Sequence, residues 1–246
     1  MWRYFISIIL VAASGICKLQ AQDTIMFPLK LRVGFDLVGA SKYFYDKDKA
    51  NLEFYLSADL NEKTSAIFFT GITNDYVYPR YRDETFIMYN LIAKGFYTKV
   101  GVDFNMLHTS KSEGKYFLGI GFRYGISNYS YGVSDINLEN YWGRYRTSIP
   151  TNNTWGHFLE AAPSVRVEIT KNLSLGWSGG LRKLIYAGIE KELKPLYLPG
   201  YGDGSKSFSF ALNYFIIWNI PYKEKKVIIR PRWTEPEDDF DNNNRN

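Results

Sequence analysis

Two histidines and the polar residues beside them are the candidates for chemistry in this chain of 246 residues. His108 is followed by Thr109 and Ser110, and Glu113 lies a little further along. A histidine base, a hydroxyl and an acid are the groups that activate a serine for nucleophilic attack on an ester or amide. The same residue types are common in polar turns, so this spacing alone does not define a catalytic site.

The second histidine, His157, stands in the segment 155–158 (WGHF), where we expect a strand to begin. Glu160 lies three residues on and therefore points to the opposite face of that strand. The sequence has no glycine-rich phosphate loop, no dinucleotide fingerprint and no spacing typical of metal ligands. We therefore predict a protein without catalytic residues, cofactor or metal.

The first residues have the organisation of an export signal. Arg3 supplies a positive charge, residues 5–16 form an apolar core too short to span a membrane, and Ala21 offers a small residue for cleavage. The only cysteine, Cys17, lies in this segment. A lipoprotein signal is the alternative, but Ile16 stands where a small residue is needed before the cysteine. We predict that residues 1–21 are removed, which leaves no thiol.

Composition favours strands over membrane helices. The chain has 20 Tyr, 17 Phe, 6 Trp and 20 Gly, and after the signal it contains no apolar run close to the roughly 18 residues of a membrane helix. Without Arg3 and Lys18, 30 basic residues become 28 against 25 acidic ones, so the mature charge is +3. Because no run of Lys and Arg occurs, we predict no nucleic-acid partner.

The stretch from Ser207 to Tyr222 alternates between two faces. One face is large and apolar, with Phe208, Phe210, Leu212, Tyr214, Ile216 and Trp218. The other face has small or polar residues, among them Asn213 and Asn219. This period of two is typical of a strand between two different environments, and the stretch is long enough to cross a bilayer at a tilt.

Eight segments of this kind are predicted, at residues 28–39, 52–60, 64–73, 85–107, 116–125, 158–170, 173–187 and 207–222. Short connections at 61–63, 108–115 and 171–172 alternate with long ones at 41–50, 74–83, 127–154 and 188–206. Short periplasmic turns, longer outer loops and an even strand count are typical of outer-membrane barrels. We therefore predict an all-β fold, an eight-stranded antiparallel transmembrane β-barrel over residues 22–222, closed by pairing of the last strand with the first. A turn at Lys94-Gly95 would instead give ten strands.

The polar faces of these segments indicate what the barrel contains. A secreted lipocalin-like barrel would turn its apolar face inward around a ligand. Here the polar faces carry equal numbers of basic and acidic residues, namely Lys30, Arg32, Lys99, Arg123, Arg166 and Arg182 with Asp36, Glu53, Asp59, Asp103, Glu160 and Glu168. An eight-stranded barrel has room inside only for side chains. We therefore expect a plugged lumen of paired charges and an apolar exterior that faces lipid.

Aromatic residues near the segment ends fit the interfacial girdles of a membrane barrel. The predicted outer girdle contains Tyr43, Tyr45, Tyr76, Tyr78, Trp155 and Tyr186, and the inner one Trp218 and Tyr222. Three aromatics of the longest loop, Tyr141, Trp142 and Tyr145, are candidates for contact with a surface partner. Residues 223–246 change from basic to acidic and are predicted to form a disordered periplasmic tail.

The segments LRVGFDL (31–37), KGFYTKVGVDFNML (94–107), GIGFRYG (119–125) and NYFIIWNIPY (213–222) resemble an uncharacterised family of Bacteroidota outer-membrane β-barrel proteins. The resemblance spans most of the mature chain and implies an outer-membrane location in a Gram-negative cell. It implies no activity and no site residues. A looser resemblance is to the small outer-membrane barrels that accompany secretion machinery.

Three functions follow as hypotheses. The first is a monomeric, non-enzymatic outer-membrane barrel in contact with outer-membrane lipid, whose loops bind a surface partner or stabilise the envelope. The second is an accessory subunit of a secretion or assembly machinery that binds a periplasmic protein partner through residues 223–246. The third is a lipid-modifying enzyme, because His108, Ser110 and Glu113 resemble the catalytic residue types of outer-membrane lipid A deacylases.

Overall fold

The structure, a computed structural model, describes residues 24–45, 51–82, 87–108, 112, 114–140, 143–149, 153–188, 195 and 197–228. The chain divides into two compact units. The larger unit, Phe27–Lys225, is the barrel. The smaller one comprises Met1–Met26 and Lys226–Asn246, of which residues 24–26 and 226–228 are described as strand.

Strands dominate the described residues. In chain order the elements are β1 (Thr24–Asp36), α1 (Leu37–Tyr45), β2 (Asn51–Asp59), β3 (Thr64–Arg82), β4 (Ile87–Asn105), β5 (Tyr116–Asn140), β6 (Gly143–Ile149), β7 (Asn153–Thr170), β8 (Leu173–Tyr186), β9 (Tyr197–Leu198), β10 (Gly202–Asp203) and β11 (Phe208–Ile228). Within this part of the chain, no helix has the length and apolar character needed to cross a membrane.

Eight of these strands form a closed antiparallel ring. Their order is β4-β3-β2-β1-β11-β8-β7-β5, and pairing of β4 with β5 completes the circle. The predicted eight-stranded barrel and the pairing of its last strand with its first are therefore confirmed. Because β4 runs without a break through Lys94 and Gly95, the ten-stranded alternative is wrong.

The pleat of each strand separates an apolar exterior from a polar interior. In β2, Phe54 and Leu56 are exposed, whereas Glu53, Ser57 and Asp59 are buried. Successive side chains of a strand point to opposite faces, so this alternation repeats around the ring. The interior is the core of the molecule, and the outer surface is the apolar one.

All four predicted long loops contain regular structure instead, and the one at 188–206 holds the two short paired strands β9 and β10. Residues 41–50 begin inside helix α1, residues 74–82 belong to β3, and most of 127–154 belongs to β5, β6 and the start of β7. The strands β3 to β6 continue as a sheet beyond the rest of the barrel, with Tyr76 opposite Ala93 and Leu91 opposite Val133. Where a strand extends beyond an apolar layer, both of its faces carry polar residues. Such a stretch has the composition of a loop, which is why the sequence predicted loops here.

The last strand is longer than predicted. β11 continues through Ile228, past the predicted boundary at Tyr222. In the turn between β2 and β3, Glu62 lies beside this extension, and Lys225 Nζ donates to Glu62 Oε2 at 2.7 Å. This hydrogen bond lowers the pKa of the Glu62 carboxyl. Its contribution to stability is therefore present above the ordinary carboxyl pKa and is lost as the pH falls through the lowered value.

Candidate functional site

The middle of the lumen is organised around Glu160 on β7. Its Oε1 lies 2.6 Å from Arg123 Nη1, and its Oε2 lies 2.6 Å from Arg182 Nε and 3.6 Å from Lys99 Nζ. The sheet register explains the arrangement, because Arg123, Glu160 and Arg182 are direct cross-strand neighbours on β5, β7 and β8. One carboxylate thus contacts three cations in a position closed to solvent.

Two further carboxylates balance these cations. Glu53 Oε2 on β2 lies 2.9 Å from Lys99 Nζ and accepts a hydrogen bond of 2.6 Å from the Tyr97 hydroxyl. Asp103 Oδ1 lies 3.5 Å from Arg123 Nη2. We call the six charged residues Lys99, Arg123, Arg182, Glu53, Asp103 and Glu160 the central charge cluster. With three positive and three negative side chains it is neutral, which is how buried charges become tolerable in a low-dielectric interior.

A second group of ion pairs lies toward the short turns, at what we call the lower end of the barrel. Lys30 Nζ pairs with Glu168 Oε2, and Arg32 pairs with Asp59 through Nη1 and Nη2. The Ser65 hydroxyl donates to Asp59 Oδ1 at 2.7 Å. This group and the central charge cluster together place ten of the twelve predicted lumen residues in ion pairs.

Asp36 has a different role from the other lumen carboxylates. It precedes helix α1 and accepts hydrogen bonds from Val38 N at 3.2 Å and Gly39 N at 2.9 Å, which is the geometry of an N-cap. It also accepts from Tyr214 N at 3.0 Å and Asn213 Nδ2 at 3.1 Å, both on β11. Asp36 therefore caps a helix and joins the first strand to the last, where the sequence predicted a member of a charge network.

Arg166 is the other exception. Its Nη1 donates to the Tyr55 hydroxyl at 2.9 Å, and its guanidinium carbon lies 4.6 Å from the centre of the Phe117 ring. Among the described residues, no carboxylate lies within ion-pair distance of it. A phenol and an aromatic face therefore hold this buried cation.

An aromatic layer of Tyr55, Phe69 and Phe215 separates the two charged levels, and the sequence pattern did not predict it. Tyr55, Phe69 and Phe215 are mutual neighbours with ring centroids 5.1 to 5.6 Å apart. Lys99 Nζ lies 4.6 Å and Arg123 Cζ 4.5 Å from the centre of the Phe69 ring, so the aromatic layer also contacts the central charge cluster. Residues 64–73 are apolar on both faces, which left their inward side unassigned, and Phe215 lies in a run of apolar residues that hides the alternation.

The opposite, upper end of the lumen is filled by residues 197–206, which we call the mouth loop. Leu198 and Tyr201 are 0% exposed and pack against Tyr129 and Phe158 of the barrel wall. The mouth loop is tied to the central charge cluster because Arg182 Nη1 donates to the Tyr201 carbonyl at 3.2 Å.

The sequence predicted a long outer connection at residues 188–206. It did not predict that this connection folds into the lumen. Gly200 has φ +75° and lies against the Tyr97 ring, where a β-carbon would not fit. The segment 198–204, LPGYGDG, was the available signal for such a tightly folded loop.

The two histidines, which the sequence suggested as candidates for catalysis, lie at separate places in the barrel. His108 is exposed at the lower end, and Thr109, Ser110 and Glu113 lie outside the described residues. His157 faces outward from β7, with Nδ1 3.0 Å from the Tyr124 hydroxyl. Within the described part of the chain, no group of His, Cys, Asp and Glu is arranged to hold a metal ion.

The aromatic residues predicted at the interfaces are partly described. Trp155, Tyr186, Trp218 and Tyr222 are exposed on the outer surface. The side chains of Tyr43, Tyr45, Tyr76 and Tyr78 lie outside the described part. Of the three candidates for surface contact, Tyr145 on β6 is 63% exposed, and Tyr141 and Trp142 are not among the described residues.

A closed antiparallel ring of eight strands, apolar outside and charged inside, defines the class of outer-membrane-type β-barrels. The chain belongs to the family described as Domain of unknown function (DUF6048), whose model matches residues 1–225. No curated protein matches the sequence. The crystal structure of CarO2 from Acinetobacter baumannii is similar over 80% of this chain and 99% of that chain, with 11% identity and a TM-score of 0.34.

Proposed function

We propose that the protein is an integral outer-membrane barrel of a Gram-negative cell with a plugged, non-conducting lumen. It acts as a monomer, without catalysis, through its exposed surface or by stabilising the envelope. The resemblance in its strand segments supports a Bacteroidota origin. Outer-membrane lipid is its first partner, since the barrel presents its apolar face outward.

The main support for this proposal is that side chains fill the lumen at each level from the lower end to the upper end. Ion pairs lie at the lower end, the aromatic layer and the central charge cluster follow, and the mouth loop packs above them. A solute would have to separate buried charges that neutralise one another, which is energetically costly. A plugged barrel is therefore favoured over a pore.

The sheet formed by the upper parts of β3 to β6 favours a role at the cell surface. Among the described residues, β6 pairs with β5 alone and lies at the end of the strand order, so its other edge offers backbone groups for pairing. Tyr145 is exposed on this strand, between the exposed residues Arg144 and Arg146. We propose this edge as the contact for a surface protein partner.

Planar-bilayer recording of the purified chain tests the proposal. We expect no steady conductance, while a general porin in the same membrane conducts. Insertion is checked separately with Tyr145→Cys, which a membrane-impermeant maleimide should label from the upper side in sealed vesicles, and with Lys171→Cys, which it should label only after permeabilisation. A stable open channel in correctly inserted protein would refute the plugged lumen, and a soluble, uninserted chain would refute the membrane location.

A further inference from the structure

A groove of about 490 Å³ lies on the outer face of the barrel, centred on β5, β7 and β8 and bordered by β4 and β11. Ala161 forms its floor, because the register places this small residue between Phe122 and Leu181, which form its walls. Leu159 and Val100 extend the apolar lining. The volume falls within the range of about 300 to 1,000 Å³ that is usual for small-molecule sites.

One cation stands at the upper rim of this groove. Lys183 lies in register with Leu159 on one side and Phe208 on the other, and its side chain is exposed. Its Nζ is 6.0 Å from the centre of the Phe208 ring. Within the described part of the chain, Lys183 forms no ion pair with a carboxylate, whereas the lumen residues Lys30 and Lys99 both do.

The rows above Lys183 indicate where the apolar surface ends. His157 follows on the same face of β7, with the Tyr124 ring stacked on it at a centroid distance of 5.9 Å and the Tyr186 ring tilted against it at 6.1 Å. Trp155 is exposed one step higher. Polar aromatic residues of this kind mark the headgroup level of a membrane barrel. Lys183 therefore lies at the upper edge of the apolar surface, where the headgroups of lipids are found.

We propose that this groove binds a phosphorylated membrane lipid, with one acyl chain over Ala161 and the phosphate on Lys183. An unpaired cation directly above an apolar groove matches a phosphorylated lipid in both charge and shape, because the anionic group of such a lipid adjoins its acyl chains. At headgroup level an ammonium on the outer face of a barrel is tolerated, and it attracts an anionic lipid group such as a phosphate. The inference rests on the proposed membrane location and adds a specific lipid site to it.

Native mass spectrometry of the full chain in detergent micelles tests the site with three probes. They are dioleoyl phosphatidic acid, dioleoylglycerol with the same chains and no phosphate, and glycerol phosphate with no chains. We expect one bound phosphatidic acid, about ten-fold weaker retention of dioleoylglycerol and none of glycerol phosphate. Lys183→Gln should weaken phosphatidic acid to the level of dioleoylglycerol, and Ala161→Leu, which fills the groove, should weaken both lipids.

The control is Lys171→Gln, which removes another exposed charge, in the turn between β7 and β8, and should bind as the unmodified chain does. Equal binding by Lys183→Gln and Lys171→Gln would overturn the phosphate contact. Unchanged binding by Ala161→Leu would overturn the groove. Heat-modifiable migration on gels verifies that each variant is folded. Failure to insert into liposomes would count against the membrane location alone, since the micelle experiment decides the lipid site independently.

Discussion

Glu160 is the residue on which most of the lumen charge depends. It contacts Lys99, Arg123 and Arg182, and all four side chains are buried. Removing one partner of a buried ion pair leaves the other charge uncompensated, which costs about 3–5 kcal/mol. Three cations share this carboxylate, so its loss affects three strands at once.

We expect Glu160→Gln to lower the free energy of unfolding by about 3–5 kcal/mol, measured by urea titration in vesicles. Glu168→Gln is the matched control, because its partner Lys30 lies at the lower end of the lumen, and it should cost less. The double variant Glu160→Gln with Lys99→Met restores the charge balance and should regain part of the loss. Equal costs for the two single variants would contradict a central role for Glu160.

At this scale, alternation predicts which face of a strand a residue occupies, but it does not predict the partner. Asp36 and Arg166 demonstrate the limit. The partners of Asp36 on β11 are 177 and 178 positions away in sequence, and Tyr55, the partner of Arg166, is 111 positions away. Pairing across such distances depends on the register of strands that are not neighbours in sequence, and periodicity carries no information about it.

The mouth loop is the element that closes the upper end of the lumen. Its inward course depends on Gly200, which adopts a left-handed backbone conformation against the Tyr97 ring. Leu198 and Tyr201, on either side of this glycine, supply the apolar contacts. Glycine is required here for two reasons, the positive φ and the lack of space for a β-carbon.

We expect Gly200→Ala to loosen the mouth loop and to raise the rate of trypsin cleavage after Lys206 by about ten-fold, corresponding to about 1.4 kcal/mol. Gly143→Ala is the control, since Gly143 also has a positive φ, 133°, but has nothing within 4 Å of a β-carbon. It should leave cleavage after Lys206 unchanged. If both variants behaved as the unmodified chain, the contact with Tyr97 would not hold the loop.

The eight strands of the barrel were predictable, and the elements above it were not. Within the barrel, one apolar and one polar environment impose the period of two that the sequence displays in β2 and β11. In the segments 74–82 and 127–140, the sequence lacks an unbroken alternation of large apolar and polar residues. Residues 127–140 are rich in Ser, Asn, Tyr and Gly, which are typical of loops, but β5 continues through them because β4 and β6 pair with it.

For the whole molecule, the exterior decides between a membrane barrel and a soluble one. The outer surface of β11 alone exposes Phe208, Phe210, Leu212, Trp218 and Ile220. Large contiguous apolar surfaces of this kind are rare on soluble monomers and indicate contact with a membrane or a partner.

We expect Leu212→Arg to make folding into phospholipid vesicles less favourable by about 2–4 kcal/mol, because it places a charge on the lipid face. Leu212 is 60% exposed, and Tyr145 on β6 is 63% exposed. Tyr145→Arg is therefore matched in exposure but lies on the sheet above the apolar surface, and it should change the folding free energy little. A soluble barrel would tolerate both substitutions equally.

Asp36, at the end of the first strand, can accept all four of its hydrogen bonds only after β11 has been synthesised. Two of its four partners are on β11, which is the last barrel strand to be synthesised. A chain that ends before residue 213 keeps a carboxylate with free acceptor positions at the open seam, beside the unpaired edge of β1. The interaction thus distinguishes a complete barrel from a chain that lacks β11.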